Sequence, residues 1–204
     1  MRLFSLFIGY LCGCFLTGDR VARHKTGRSA FAIGSGNPGM ANILDQLGIK
    51  WAAVTLLGDI LKTVIPCILC RYVLFRPLGP LAILYAGVGT ALGHGYPFWH
   101  GFRGGKGVAV TCAYLVLFSP LWGLLVNLAG LGIVLATGYL AMGALVIPSL
   151  FLIPAFLKFG TEAGFVTLAG VVLLFSLHGD SLRRIRNGSE KKTDLISRIR
   201  SRDE

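Results

Sequence analysis

The chain has 204 residues, of which 54% are hydrophobic and only 14% charged, with a mean hydropathy of +0.69 and a formal net charge of +11. These values exclude an ordinary soluble domain and a disordered chain, and indicate one helical membrane domain with short loops and a polar tail. The five cysteines, Cys12, Cys14, Cys67, Cys70 and Cys112, lie inside apolar runs and read as small buried hydrophobes. Cys67 and Cys70 form a lone CxxC with no second pair to complete a zinc site, so no metal is expected.

The first apolar run, Leu3 to Thr17, follows Arg2 and superficially resembles a signal peptide, with "LCGC" resembling a lipoprotein cleavage site. Arg20, Arg23, Lys25 and Arg28 follow at once, and dense positive charge there predicts a retained first helix with its N-terminus outside. Next comes "IGSGNPGMANILD". Gly34, Gly36, Pro38 and Gly39 impose turns, while Ser35, Asn37 and Asn42 offer neutral hydrogen-bonding groups. Glycines let backbone N–H groups approach an anion, and a following helix presents its positive dipole end. A tight interhelical loop is the plainer alternative.

The second run, Trp51 to Leu74, carries Asp59 and Lys62 on one helical face. Charges within a span pair or serve function; these two read as a structural pair that could support a loop site from beneath. After Leu78 to Tyr96 comes "GHGYPFWHGFRGGKGVAV", residues 93–110. A Walker P-loop needs glycine where His100 stands and Ser or Thr where Gly107 stands, so a nucleotide loop is excluded. A helix starting near Gly104 would put Lys106 in its first turn, where a cation is unfavourable beside the dipole unless an anion is bound. That placement predicts a phosphate site, with Arg103 either sharing it or anchoring topology. His94 and His100 have no obvious carboxylate or cysteine companion, and the intervening aromatics read as an interfacial belt.

The apolar block from Val108 to Leu157 divides into three helices at "SP" and "TGY", followed by Phe165 to Leu177. The expectation is therefore an all-α integral membrane protein of about seven transmembrane helices, with the C-terminus cytoplasmic. This arrangement leaves only Arg2, Arg71, Arg76 and Lys158 outside and Lys62 within a span; dividing the block in two would export the basic tail, against the positive-inside rule. Residues 1–178 read as the transmembrane domain with its active-site loops and 179–204 as a basic cytoplasmic tail. The tail opens with "HGDSLRRIRNGSE", where His178 could act as acid or base and the arginines could bind anionic headgroups. All three polar stretches fall on the cytoplasmic face and can converge on one site.

Together they resemble the acyl-phosphate:glycerol-3-phosphate acyltransferase family, the PlsY-type integral-membrane enzymes of bacterial phospholipid synthesis. "GSGNPGMAN" resembles the first motif, "GHGYPFWHGFRGGKGVAV" the second, and His178 with "GSE" the third, while "GDILK" fits the second helix. The resemblance implies transfer of a fatty acyl group from acyl phosphate to the sn-1 hydroxyl of glycerol 3-phosphate, giving lysophosphatidate and inorganic phosphate. It implies no cofactor and no nucleic-acid partner, and a monomer in the bacterial plasma membrane with its site facing the cytoplasm. By motif, Ser35, Lys106 and His178 are the catalytic candidates. Gly34, Gly36, Asn37, Gly39, Asn42, His94, Arg103, Gly104, Gly105, Gly107, Ser181, Arg184, Gly188 and Glu190 are the substrate-binding ones, with the amides of Gly104 and Gly105 beside Lys106 on the phosphate. Ala41, Asp45, Gly138, Ala141 and Ser181 depart from the family pattern; at Asp45 an arginine is usual. A small-anion transporter and a lipid-binding paralogue remain the alternatives.

Overall fold

The computed structural model describes residues 1–193. Positions 194–204, the far end of the basic tail with Arg198, Arg200 and Arg202, lie outside the described residues. Every regular element among the described residues is helical. The chain forms two compact units, Met1–Ser119 and Pro120 onward.

The first unit contains α1 (Arg2–Gly13), α2 (Thr17–Thr26), α3 (Met40–Leu47), α4 (Ile49–Ile68), α5 (Leu81–Gly95) and α6 (Val108–Phe118). α1 and α5 pack through small residues. A Cβ on Gly9 would lie 2.0 Å from the Ala86 carbonyl oxygen, on Gly13 2.2 Å from that of Thr90, on Gly89 2.1 Å from that of Leu6 and on Gly93 2.1 Å from that of Tyr10. Each helix thus carries a Gly-xxx-Gly pair facing the other's backbone, the pattern that close packing in lipid requires. α2 and α3 are short and polar by comparison. They enclose a small core of Val21, Ala22, Ala30 and Ile43, against which Ile33, Leu47 and Trp51 pack.

The second unit holds α7 (Pro120–Thr137), α8 (Leu140–Phe159), α9 (Thr161–Leu177) and α10 (Gly179–Arg186). The block from 108 to 157 does break into three helices, at Ser119 and at Gly138–Tyr139, where "SP" and "TGY" stand. Among the described residues three helices, Ile49–Leu74 including a π-helical end, Pro120–Thr137 and Leu140–Phe159, are long and apolar enough to cross a membrane. A fourth qualifies if α9 and α10, bent by 57° at His178, count together. At 12, 15 and 11 residues, α1, α5 and α6 are shorter than the roughly 20 that a perpendicular span needs. Large apolar side chains such as Leu57, Leu61 and Ile65 on α4 and Leu124, Leu128 and Leu135 on α7 are exposed, as membrane-facing surfaces are.

Two boundaries differ from the sequence expectation. The first helix ends at Gly13, and Thr17 instead opens α2, because Phe15 and Leu16 turn the chain. The helix after the second motif begins at Val108, not near Gly104. Gly107 takes the left-handed conformation at φ +73°, which glycine adopts without strain, and the resulting turn keeps Lys106 outside the first helical turn.

Candidate active site

The first motif is a loop held by its own side chains. Asn42, at the start of α3, is buried. Its Oδ1 accepts the Ser35 N–H at 2.8 Å, while its Nδ2 donates to the carbonyls of Ile33 at 3.2 Å and Ala30 at 3.4 Å. Asn37 Oδ1 accepts the Gly39 N–H at 2.9 Å in an Asx turn. Gly34 is required by close approach, since a Cβ there would sit 2.2 Å from Asn42 Oδ1. Gly36 and Gly39 are half-buried, whereas Ser35 and Asp45 are exposed. Asn42, a substrate-binding candidate, braces the loop that presents Ser35.

The loop is anchored from its N-terminal side by Asp19, only 2% exposed. Its carboxylate accepts from Arg23 Nε at 2.8 Å, from Ser29 Oγ and from the Ala30 N–H at 2.9 Å. Burial on its own would raise this carboxyl, but the three donors outweigh it and hold Asp19 below the ordinary carboxylate range. Nothing in the sequence pattern had singled out Asp19.

The second motif is tied to α1 and to a buried polar cluster. Tyr10 Oη donates to the Tyr96 carbonyl at 3.0 Å and Trp99 Nε1 to that of Cys14 at 3.1 Å, which ties the second motif to α1 and its C-cap. Phe31 and His100 rings lie 5.6 Å apart, joining the lead-in of the first motif to the second. His94 is 3% exposed. Its carbonyl accepts the Gly105 N–H at 2.9 Å, and Cβ atoms on Gly104 and Gly105 would lie 2.0 and 2.1 Å from His94 O and Nε2. The Gly105 N–H, expected at a substrate phosphate, is engaged here in closing the loop onto His94. Lys106 is half-buried on this loop, Gly107 is buried and Arg103 is exposed.

Beneath the loop, Lys62 Nζ lies 2.8 Å from Asp59 Oδ1, 2.8 Å from the Phe15 carbonyl and 2.6 Å from His94 Nδ1. The expected Asp59–Lys62 pair is present, with Thr17 Oγ1 a further donor to Asp59 at 3.4 Å. Beside the second motif lies a cleft of about 430 Å³ lined by Phe15, Leu16, Asp19, Arg20, Arg23, Trp99 and His100. Arg20 and Arg23, which sequence reasoning treated only as topology anchors, thus line a cavity that pairs apolar walls with guanidinium groups.

In the second unit, His178 is buried at the bend between α9 and α10, with its Nδ1 2.8 Å from the Leu174 carbonyl. Ser181 is fully buried and accepts from Arg184 at 3.1 Å. Arg184 Nε also donates to Glu190, so the glutamate expected at the substrate pairs with the arginine expected there. Gly188, at φ +70°, allows the turn that returns Ser189 and Glu190 N–H to the Arg184 carbonyl at 2.8 and 3.2 Å. Gly138 O accepts the Thr193 N–H at 2.7 Å, so the departure at this position lies against the returning tail. Among the described residues no group of three or more His, Cys, Asp or Glu is arranged to hold a metal ion.

Helical throughout its described residues and apolar on its outer surfaces, the chain has the character of a membrane-embedded protein, with two braced glycine loops and a lysine on one of them. The family model described as glycerol-3-phosphate acyltransferase matches residues 3–188. Glycerol-3-phosphate acyltransferase 1 of Lactobacillus johnsonii is 35% identical over 199 residues, 97% of this chain and 95% of the relative. The Alkaliphilus metalliredigens glycerol-3-phosphate acyltransferase is 34% identical over 94% of this chain and 96% of its own length. The crystal structure of PlsY, an integral membrane glycerol 3-phosphate acyltransferase, in its glycerol 3-phosphate form superposes with a TM-score of 0.85 at 28% identity, covering 97% of this chain and 98% of that one. Its lysophosphatidic acid form gives 0.80 at 29% identity, covering 94% of each chain. The chain belongs to the glycerol-3-phosphate acyltransferase family and is an acyltransferase of the membrane.

Proposed function

We propose that this acyltransferase moves a fatty acyl group from an acyl phosphate to the sn-1 hydroxyl of glycerol 3-phosphate, giving lysophosphatidate and inorganic phosphate. The observation that carries the proposal is the full-length likeness to a protein solved in glycerol 3-phosphate and lysophosphatidic acid forms. The hydroxyl oxygen attacks the acyl carbonyl carbon, the bond from that carbon to the phosphate oxygen breaks, and phosphate leaves with the electron pair. No nucleotide is required, because the acyl group arrives activated.

Lys106 and the amides around it, other than that of Gly105, stabilise the departing phosphate and the charge that develops on the carbonyl oxygen. Ser35, exposed on the braced first loop, contacts substrate. His178, held at the bend between α9 and α10 by its Nδ1 contact to the Leu174 carbonyl, is the candidate to take the hydroxyl proton. Arg184, held by Ser181 and Glu190, supplies a further cationic contact for a phosphate. Residues 1–178 form the transmembrane domain with its active-site loops, spanning the bacterial plasma membrane about seven times with the N-terminus outside, and the chain acts as a monomer. Residues 179–204 are its basic cytoplasmic tail, and the concentration of basic residues on the loops assigned to the cytoplasm supports this orientation.

Purified protein given acyl phosphate and glycerol 3-phosphate should release inorganic phosphate and form lysophosphatidate. Absence of both, alongside an active relative under the same conditions, would refute the assignment. Because Asp45 stands exposed where the family pattern carries arginine, the same assay with glycerol and dihydroxyacetone phosphate tests the acceptor.

A further inference from the structure

We infer that Asp59 and Lys62, buried in α4, are positioning residues for the Gly104–Lys106 loop and act on it through His94. The three protons of the Lys62 ammonium have three acceptors: Asp59 Oδ1 at 2.8 Å, the Phe15 carbonyl at 2.8 Å and His94 Nδ1 at 2.6 Å. Lys62 is only 7% exposed, Asp59 3% and His94 3%, so none of them meets solvent as a surface charge would. The cluster draws on the turn between α1 and α2 through Phe15, on α2 through Thr17, on α4 through the ion pair and on α5 through His94.

His94 transmits this placement to the loop at two points. Its carbonyl accepts the Gly105 N–H at 2.9 Å. Its ring faces the same residue so closely that a Cβ on Gly105 would lie 2.1 Å from Nε2 and 2.9 Å from both Cδ2 and Cε1, directly in front of the ring nitrogen. Rotation of the ring is therefore fixed by Lys62 on one edge and by Gly105 on the other. Lys106 follows as the next residue, and its position is set by a bracket of charge that never touches substrate. A buried ion pair is poor as a source of stability, since its desolvation offsets its attraction, but it fixes geometry well. A loop that must hold a phosphoryl group within a fraction of an ångström is where that property is useful.

The test has two arms. The first measures thermal unfolding in detergent for Gly105→Ala, His94→Ala and the double variant, and does not depend on the acyl-transfer assignment. Gly105→Ala alone should lower the melting temperature, whereas in the His94→Ala background, where the ring is gone, it should lower it no further; additive losses overturn the inference. The second arm, which rests on the proposed reaction, uses Asp59→Asn/Lys62→Met, which removes both charges together. Its KM for acyl phosphate should rise at least fivefold while KM for glycerol 3-phosphate stays within twofold, a split that a smaller folded fraction cannot produce. Unchanged KM values in the double variant overturn the inference while leaving the reaction intact, and an inactive wild-type protein overturns the reaction while leaving the first arm standing. If the double variant does not fold, Gly105→Ala measured in the Lys62→Met background decides: a loss of melting temperature as large as in the wild-type background overturns the inference.

Discussion

Replacing Asn42 by aspartate changes one atom in the first motif and should convert a pH-insensitive brace into a pH-dependent one. Asn42 uses its oxygen to accept the Ser35 N–H and its nitrogen to donate to the Ile33 and Ala30 carbonyls. An aspartate keeps the acceptor but turns an oxygen toward both carbonyls, at a site only 4% exposed. Burial and the two facing carbonyl dipoles disfavour the charged form and exceed the help from the Ser35 N–H, so the introduced carboxyl is raised above its unfolded value of about 3.9. A rise of about 2.5 units is in the range that buried carboxyls show. With about 1.36 kcal/mol per unit, ionisation then destabilises the variant by about 3.4 kcal/mol at pH 8 and about 1.5 kcal/mol at pH 5. The sign follows from a raised acid: no penalty exists below the unfolded pKa, and it is complete above the folded one. Protonated, the carboxyl donates to one carbonyl and restores most of the brace. The assay is phosphate release and thermal unfolding of Asn42→Asp relative to wild type at pH 5, 6.5 and 8, with Asn42→Ala as the pH-independent reference. A deficit equal at pH 5 and pH 8, or a variant indistinguishable from wild type at pH 8, would refute the assignment of Asn42 as an internal brace.

Asp19 should confer the opposite dependence. Its carboxyl is held low in the folded state, so its contribution to stability is complete above about pH 4, the unfolded value, and is lost as pH falls through the lower folded value. Asp19→Ala, which leaves the buried Ala30 N–H without its acceptor, should cost about 2–3 kcal/mol, and acid-unfolding curves of the variant and wild type should converge below that range. Lys106→Ala should reduce turnover by about a hundredfold or more in protein that still unfolds cooperatively, the signature of a lost transition-state contact; an unchanged rate would remove Lys106 from the site. Gly13→Ala places a methyl 2.2 Å from the Thr90 carbonyl oxygen, which as backbone cannot move aside. Separation of α1 and α5 should lower stability by about 1–3 kcal/mol, measured by unfolding in detergent.

Hydropathy made the helical segments legible because apolar runs interrupted by "SP" and "TGY" leave few other ways to satisfy backbone polar groups in lipid. The short helices α2, α3 and α10 were not legible by that signal: α2 reads as a cluster of charge, and its role emerges only from Asp19 gripping Ser29 and Ala30 eleven residues or fewer away. Motif resemblance found the loops and the Asp59–Lys62 pair by helical spacing. It could not separate residues that present a loop from residues that brace it, since Asn42 and Ser35 are equally polar in the sequence and differ only in burial. The Gly105 amide is a similar case, because the glycine pattern that suggests an open N–H is also what lets the loop close onto the His94 carbonyl. The Arg20 and Arg23 cleft was hidden because charge beside a span serves topology equally well.

The ties that the second motif and α4 make to α1 and the turn after it bear on how the enzyme is made. Tyr10 reaches Tyr96, Cys14 receives Trp99, and Phe15 receives Lys62, contacts separated by 86, 85 and 47 positions along the chain. During membrane insertion the first helix must therefore wait, with its glycine faces uncovered, until the helix ending at Gly95 and the loop beyond it have been synthesised. The N-terminal segment thus serves as a template on which the lysine loop is set, and a fusion or deletion that displaces it would abolish catalysis even in a protein correctly delivered to the membrane.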